Sequence, residues 1–290
     1  MQTLLLTGAT GFLGSHLLEI FISNGFNVVI LKRSTSDTWR INHLLPKIKW
    51  YDSDMVSLKA IFTEVKPDVI VHTACNYGRK KDNLFEILDS NLIFGIKLLE
   101  EAIANEVKTF INTDTLLPVN VNNYSLSKNQ FVQWLKLQSD KIQVINIRPE
   151  YMYGPKDDKN KFTPWLIDKM INSSEEINLT SGIQKRDFIY IEDVVSAYLM
   201  VVNEAQNLPK WNQFDLGTNT FVEVKEFILA IGKEIEKVYN IDVVSKLKFG
   251  VIPYREGDIM VPELDNKALL KLGWKPKFSL DEGIKITIEN

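Results

Sequence analysis

The sequence predicts an α/β fold: a doubly wound parallel sheet over residues 1–150, followed by a smaller C-terminal α/β lobe over 151–290. Three observations predict it. Short, near-continuous apolar runs alternate with segments of helical period, the pattern of parallel strands buried on both faces. Three glycines spaced three apart, Gly8, Gly11 and Gly14, separate the first apolar run from the first helical one. After Pro149 the alternation loosens into turn-rich stretches.

The elements follow in order. Residues 3–8 (TLLLTG) read as a strand, and 11–25 as a helix closed by Gly25. The run 27–33 (NVVILKR) is a second strand, and a third ends near WYDSDM. A helix over 57–65 leads to a buried strand at 66–74. Residues 85–107 read as one long helix, followed by the strand 108–113, a helix opened by Tyr124 and the strand 142–149. In the lobe, 163–171 is helical and 176–180 a short strand. Residues 186–205 run from strand to helix, with Glu192 and Asp193 in the helix's first turn, and this stretch is expected to return to the sheet. Residues 221–240 form an amphipathic helix, and 264–274 a short one near the C-terminus.

Composition narrows the function. A net charge of −3 with scattered basic residues gives no patch for nucleic acid or a membrane surface. The single cysteine, Cys75, cannot form an intrachain disulfide, which fits a reducing compartment. Three histidines without a Cys/His cluster leave no zinc motif. No apolar run approaches the ~20 residues that span a bilayer, so the chain reads as soluble and cytoplasmic.

The glycine turn carries the first functional reading. Gly8 permits the tight turn, Gly11 lets a pyrophosphate approach the backbone, and Gly14 lets helix and strand pack closely. Thr10, Phe12 and Leu13 complete this set, and the helix start offers unpaired N–H groups to phosphate. That is the dinucleotide-binding (Rossmann) arrangement. The second strand ends in Lys32 and Arg33, where an NAD site presents an acid; cations there suit a 2′-phosphate and predict NADP(H). A solvated pair of loop charges is the alternative. Asp54 sits where the third strand would end beneath the adenine, with Asp52 as its rival.

Two tyrosine–lysine pairs share the one-turn spacing, Tyr124 with Lys128 and Tyr77 with Lys81, so spacing does not choose between them. The motifs TGATGFLGSHL, VKPDVIVHTA, SNLIFGIKLLEEA, FINTDT, YSLSK, IRPEYMYGP, RDFIYIEDVV, YREGD and LGWKP do, by their order. Together they resemble the extended short-chain dehydrogenase/reductases, in particular the nucleotide-sugar epimerases, dehydratases and 4-ketoreductases. The resemblance makes Tyr124 and Lys128 the active-site pair and leaves Tyr77 as pocket lining. An unperturbed phenol titrates near ~10; a lysine one turn away, with an oxidised nicotinamide, draws that value toward working range. Lys128 would also hold the nicotinamide ribose. Thr113 takes the role of the hydroxyl that orients the substrate oxygen, with Thr115 as its rival. Asp114 is present but Thr115 replaces the glutamate of the dehydratase branch, which argues against a 4,6-dehydratase.

The resemblance also implies a nucleotide-sugar substrate. Arg186 and Arg255 match the family's clamp on its diphosphate, and Asp258 the carboxylate that accepts from its ribose. Arg186 with Asp187, and Arg255 with Glu256, are the rival pairings. Two departures stand out: Glu150 and Tyr151 replace an expected asparagine region, and only ten residues separate Thr113 from Tyr124, about half the usual gap. The finer pattern looks most like the ketoreductases of O-antigen dideoxysugar synthesis. The expectation is an NADPH-dependent reductase of a nucleotide-linked 4-keto-6-deoxysugar, acting as a homodimer. An NAD-dependent 4-epimerase and a non-catalytic NADP-binding sensor are the alternatives.

Overall fold

The computed structural model describes residues 1–78, 83–254 and 258–290. The chain forms two compact units: Met1–Pro149 with Val195–Asp215, and Glu150–Val194 with Leu216–Asn290.

In the first unit β1 (Thr3–Thr7), α1 (Phe12–Ser23), β2 (Asn27–Lys32), β3 (Lys49–Asp52), α2 (Leu58–Val65) and β4 (Val69–His72) come first. Then α3 (Leu84–Leu88), a π turn over Asp89–Ile93, α4 (Phe94–Ala104), β5 (Thr109–Thr113), α5 (Asn123–Leu137) and β6 (Gln143–Pro149) follow. With β10 (Trp211–Leu216) they build a seven-stranded sheet in the order β10-β6-β5-β4-β1-β2-β3, and every pairing from β3 to β6 is parallel. The order reverses between β1 and β4, so the carboxyl ends at Thr7, His72 and Thr113 share one edge beside the crevice where such sheets bind ligands. Leu5, Ile70, Phe110 and Val144 face Leu98, Leu99, Phe131 and Leu135, all buried, which fixes α4 and α5 against the sheet. Gly95 lets the two helices approach, since a Cβ there would lie 2.7 Å from the Phe131 ring.

The expected long helix over 85–107 is broken. Its apolar period continues through 89–93, but the wider π turn carries Asn91 inward, where it is wholly buried and hydrogen-bonded to the loop after β4.

The second unit holds β7 (Tyr151–Tyr153), α6 (Phe162–Asn172), β8 (Ile177–Asn178), β9 (Lys185–Tyr190) and the start of α7 (Ile191–Glu204). It also holds β11 (Phe221–Glu223), α8 (Val224–Tyr239), β12 (Leu247–Lys248), α9 (Lys267–Lys271) and α10 (Leu280–Glu289). β9 pairs with β7 in parallel and with β11 in antiparallel sense. The expected helix 221–240 thus gives its first three residues to a strand; Glu223 and Glu226 form a capping box that starts α8 only at Val224. The segment that rejoins the first unit begins at Val195, so β9 stays with the second. Phe188 stacks on Phe227 at 3.7 Å, and Asp193 accepts from the N–H groups of Lys277 and Phe278, tying down the C-terminal segment.

Candidate active site

The glycine turn has the form a dinucleotide requires. Gly8 lies in the left-handed region (φ +73°), and a Cβ there would come within 2.6 Å of Ala74. A Cβ at Gly14 would collide with the Gly8 backbone. Gly11 caps α1 without any side-chain acceptor, so the N–H groups of the first turn have no side-chain acceptor at the cap, and Phe12 and Leu13 behind it are buried. These residues fit a bound pyrophosphate.

The cations expected at the end of β2 behave differently from each other. Lys32 is mostly buried, ion-paired with Asp52 and held over the Trp50 ring at 4.3 Å. Arg33 is exposed. Asp54, expected beneath the adenine, instead grips Ser34, accepting from its N–H at 2.9 Å and from its hydroxyl at 2.6 Å. Those bonds hold the Asp54 carboxyl below its ordinary range. β3 ends at Asp52, whose carboxylate Lys32 occupies. Neither partnership has a local signature, because each spans 20 residues.

Tyr124 sits in the first turn of α5. A capping box sets that turn: the Asn122 side chain accepts from the Ser125 N–H at 2.8 Å, and the Ser125 hydroxyl accepts from the Asn122 N–H at 3.2 Å. Lys128, one turn on, is 1% exposed. Burial pushes its amine down, while Cys75 and Asp114 push it up. Burial drives the Tyr124 phenol well above 10, with Cys75 and Asp114 adding to the rise and the hydrogen bond from Thr115 opposing it.

The two threonines separate by partner. Thr113 shares a 2.7 Å hydrogen bond with Tyr198 of α7, whose phenol burial keeps protonated. The Thr115 hydroxyl accepts from the Leu117 N–H at 3.2 Å and acts to lower the Tyr124 phenol. The chain turns between the two threonines, with the Asp114 N–H donating to the carbonyl of Ile147 at 2.7 Å.

Several groups here are given no part in binding or catalysis by the motifs that contain or flank them. Asp114 is 7% exposed and accepts from Asn146, which in turn accepts from Asn112 at 2.7 Å. Asn91 binds both backbone groups of Asn76 and donates to Ser127 at 3.0 Å. That clamp fixes the loop bearing Cys75 and Tyr77, and the Tyr77 ring lies 4.9 Å from the Tyr124 ring. His72 lies at the end of β4 among Phe94, Phe110 and Phe131, bonded to Thr7 at 2.8 Å. Burial and the charge of Lys128 push it down to about 3, so it is a neutral core residue.

In the second unit Arg186 is 7% exposed. It pairs with Asp258 at 2.8 Å and donates to the carbonyls of Lys185 and Ile259. The two residues assigned to the nucleotide sugar thus bind each other. Asp187 is not Arg186's partner; it accepts from Thr218 and Asn219. Arg255 and Glu256, and Lys81 of the second tyrosine–lysine pair, lie outside the described residues. Among the described residues no cluster of side chains suits a metal ion, and no helix is long and apolar enough to cross a membrane.

A glycine-rich turn opening a parallel sheet, with a tyrosine and a buried lysine one turn apart beyond the fifth strand, defines a class. The chain belongs to the NAD dependent epimerase/dehydratase family, whose sequence profile matches residues 4–217. It is 34% identical to a CDP-abequose synthase of Salmonella muenchen, covering 98% of this chain and 96% of that one. It is 28% identical to a putative UDP-glucose 4-epimerase of Methanocaldococcus jannaschii, over 97% and 96%. The UDP-glucose 4-epimerase of Thermotoga maritima, solved with UDP-glucose, shares the fold at a TM-score of 0.83 and 24% identity, over 99% of this chain and 98% of that one.

Proposed function

We propose that this chain is an NADPH-dependent reductase of a nucleotide-linked 4-keto-6-deoxy or 3,6-dideoxy sugar, serving cell-surface polysaccharide synthesis in the cytoplasm. The observation that carries the reading is Tyr124 in the first turn of α5, half-buried, one turn from the buried Lys128 and 4.9 Å ring to ring from Tyr77, with desolvation and Asp114 favouring its protonated form. A group held in its acid form suits a reaction that ends by giving a proton to oxygen. Bound NADPH supplies the hydride. Tyr124 Oη gives its proton to the substrate's C4 oxygen, and the Thr115 hydroxyl shares that oxygen and fixes its direction. Lys128, buried one helical turn on from Tyr124, would orient the nicotinamide ribose. The similarity to CDP-abequose synthase over nearly the whole chain supports a nucleotide-linked dideoxysugar as substrate. Arg186 and Arg255 are proposed for its diphosphate and Asp258 for the hydroxyls of its nucleotide ribose, with Tyr77 along the sugar.

The 4-epimerase reading uses the same residues and draws support from the archaeal relative. A panel of CDP- and dTDP-4-keto-6-deoxysugars, followed by NADPH absorbance and product NMR, separates them. Stoichiometric NADPH oxidation with a single C4 configuration is expected. Epimerisation of a UDP- or CDP-hexose without added cofactor, and no NADPH consumption, would overturn the reductase reading. A homodimer is proposed on the exposed face of α5 that carries Trp134 and Leu137, and light scattering on the same preparation measures it.

A further inference from the structure

We infer that Arg40, backed by Trp39, is the residue that selects a 2′-phosphorylated cofactor, and that Lys32 is a structural residue of the sheet edge. The inference rests on the NADPH reading above. Arg40 lies in the loop after β2 and is 7% exposed, an unusual degree of burial for an arginine. Its Nη1 donates to the carbonyl of Thr10 at 3.2 Å, which fixes the guanidinium against the glycine turn. Its plane lies over the Trp39 ring at 4.5 Å, and Trp39 is half exposed. A bond between the Ile41 N–H and the Thr38 carbonyl holds the turn that carries both.

The charges around the end of β2 argue for the same residue. Lys32 is neutralised by Asp52 and covers Trp50. Asp54 grips Ser34 and stays ionised, so it repels a phosphate brought to that spot. Arg33 beside them is exposed, whereas Arg40 is the cation held against the glycine turn, where a 2′-phosphate would meet it. A planar guanidinium both binds phosphate through paired donors and stacks on flat rings. An adenosine with its pyrophosphate at the turn would bring its 2′ position toward this group, where NADH would offer only a hydroxyl.

Isothermal titration of the full-length protein with NADPH, NADH and adenosine 2′,5′-bisphosphate tests this without turnover. Arg40→Gln is expected to weaken NADPH and the bisphosphate on the order of 10- to 100-fold and NADH less than about threefold. Arg40→Lys, which keeps the charge but not the fork, is expected to fall between. Lys32→Met is expected to lower the melting temperature and to leave the NADPH-to-NADH ratio near that of the parent. Equal losses for NADPH and NADH in Arg40→Gln would assign Arg40 to the shared diphosphate and overturn the inference. So would a ratio that collapses in Lys32→Met and persists in both Arg40 variants. A parent protein with no preference for NADPH would overturn the cofactor reading itself, a result distinguishable from either variant outcome.

Discussion

Tyr124 is a phenol arranged to keep its proton until a stronger base appears beside it. Burial, Asp114 and Cys75 all favour the neutral form, and only Thr115 opposes them. Tyr124→Phe should therefore lower turnover by roughly 10²- to 10⁴-fold while NADPH affinity, read by titration, stays about the same. Reduction needs the protonated phenol, so activity should stay flat through neutral pH and fall only as strongly alkaline solution removes that proton. A rate that rises from pH 7 to 9 would mean the phenol works as a base. Thr115→Val should cost more turnover than Thr113→Val, whose loss falls on the bond to Tyr198. The neighbourhood of Tyr124 was legible in the order of motifs along the chain. The bond from Thr113 to Tyr198 was not, because spacing does not say which way side chains point where a strand ends. The partnership of Lys32 with Asp52 was illegible for a related reason: a pairing across 20 residues leaves no local pattern.

Among elements, the buried strands were the easiest to read, since both faces of each are covered and the sequence shows it as unbroken Val, Ile and Leu. The π turn was invisible because the apolar period runs through it undisturbed. Its purpose lies in one side chain. Asn91 satisfies the N–H and carbonyl of Asn76 and also reaches Ser127, joining the loop after β4 to α5. Asn91→Ala leaves those buried backbone groups without partners and should destabilise the fold by about 1–3 kcal/mol, measured by urea denaturation. The same variant should lower turnover, because Tyr77 and Cys75 ride on the released loop. Asn91→Asp, which keeps the acceptor for the Asn76 N–H, should recover part of the stability. A variant as stable as the parent would show that the clamp is incidental.

At the scale of the molecule, stability depends on keeping His72 neutral. Its pKa falls from 6.5 in the free chain to about 3 in the fold. The unfolded chain therefore binds the extra proton first, and stability present above pH 6.5 drains away as pH falls toward 3, at about 1.4 kcal/mol per pH unit from this group. His72→Leu should flatten the pH dependence of the melting temperature between pH 6.5 and 4; an unchanged slope would assign acid sensitivity elsewhere. The sheet carries one more consequence, which concerns synthesis on the ribosome. β6 ends at Pro149, yet its outer neighbour β10 begins at Trp211. At roughly 5–20 residues per second, β6 is exposed as an open edge for about 3–12 s before its partner is made. Its backbone edge is unprotected in that interval, and the Val144 N–H donates to the carbonyl of Lys210 only afterwards. A nascent chain stalled anywhere between these strands carries a sticky edge, so conditions that slow translation there should raise the yield of aggregate from a gene whose finished product is well behaved.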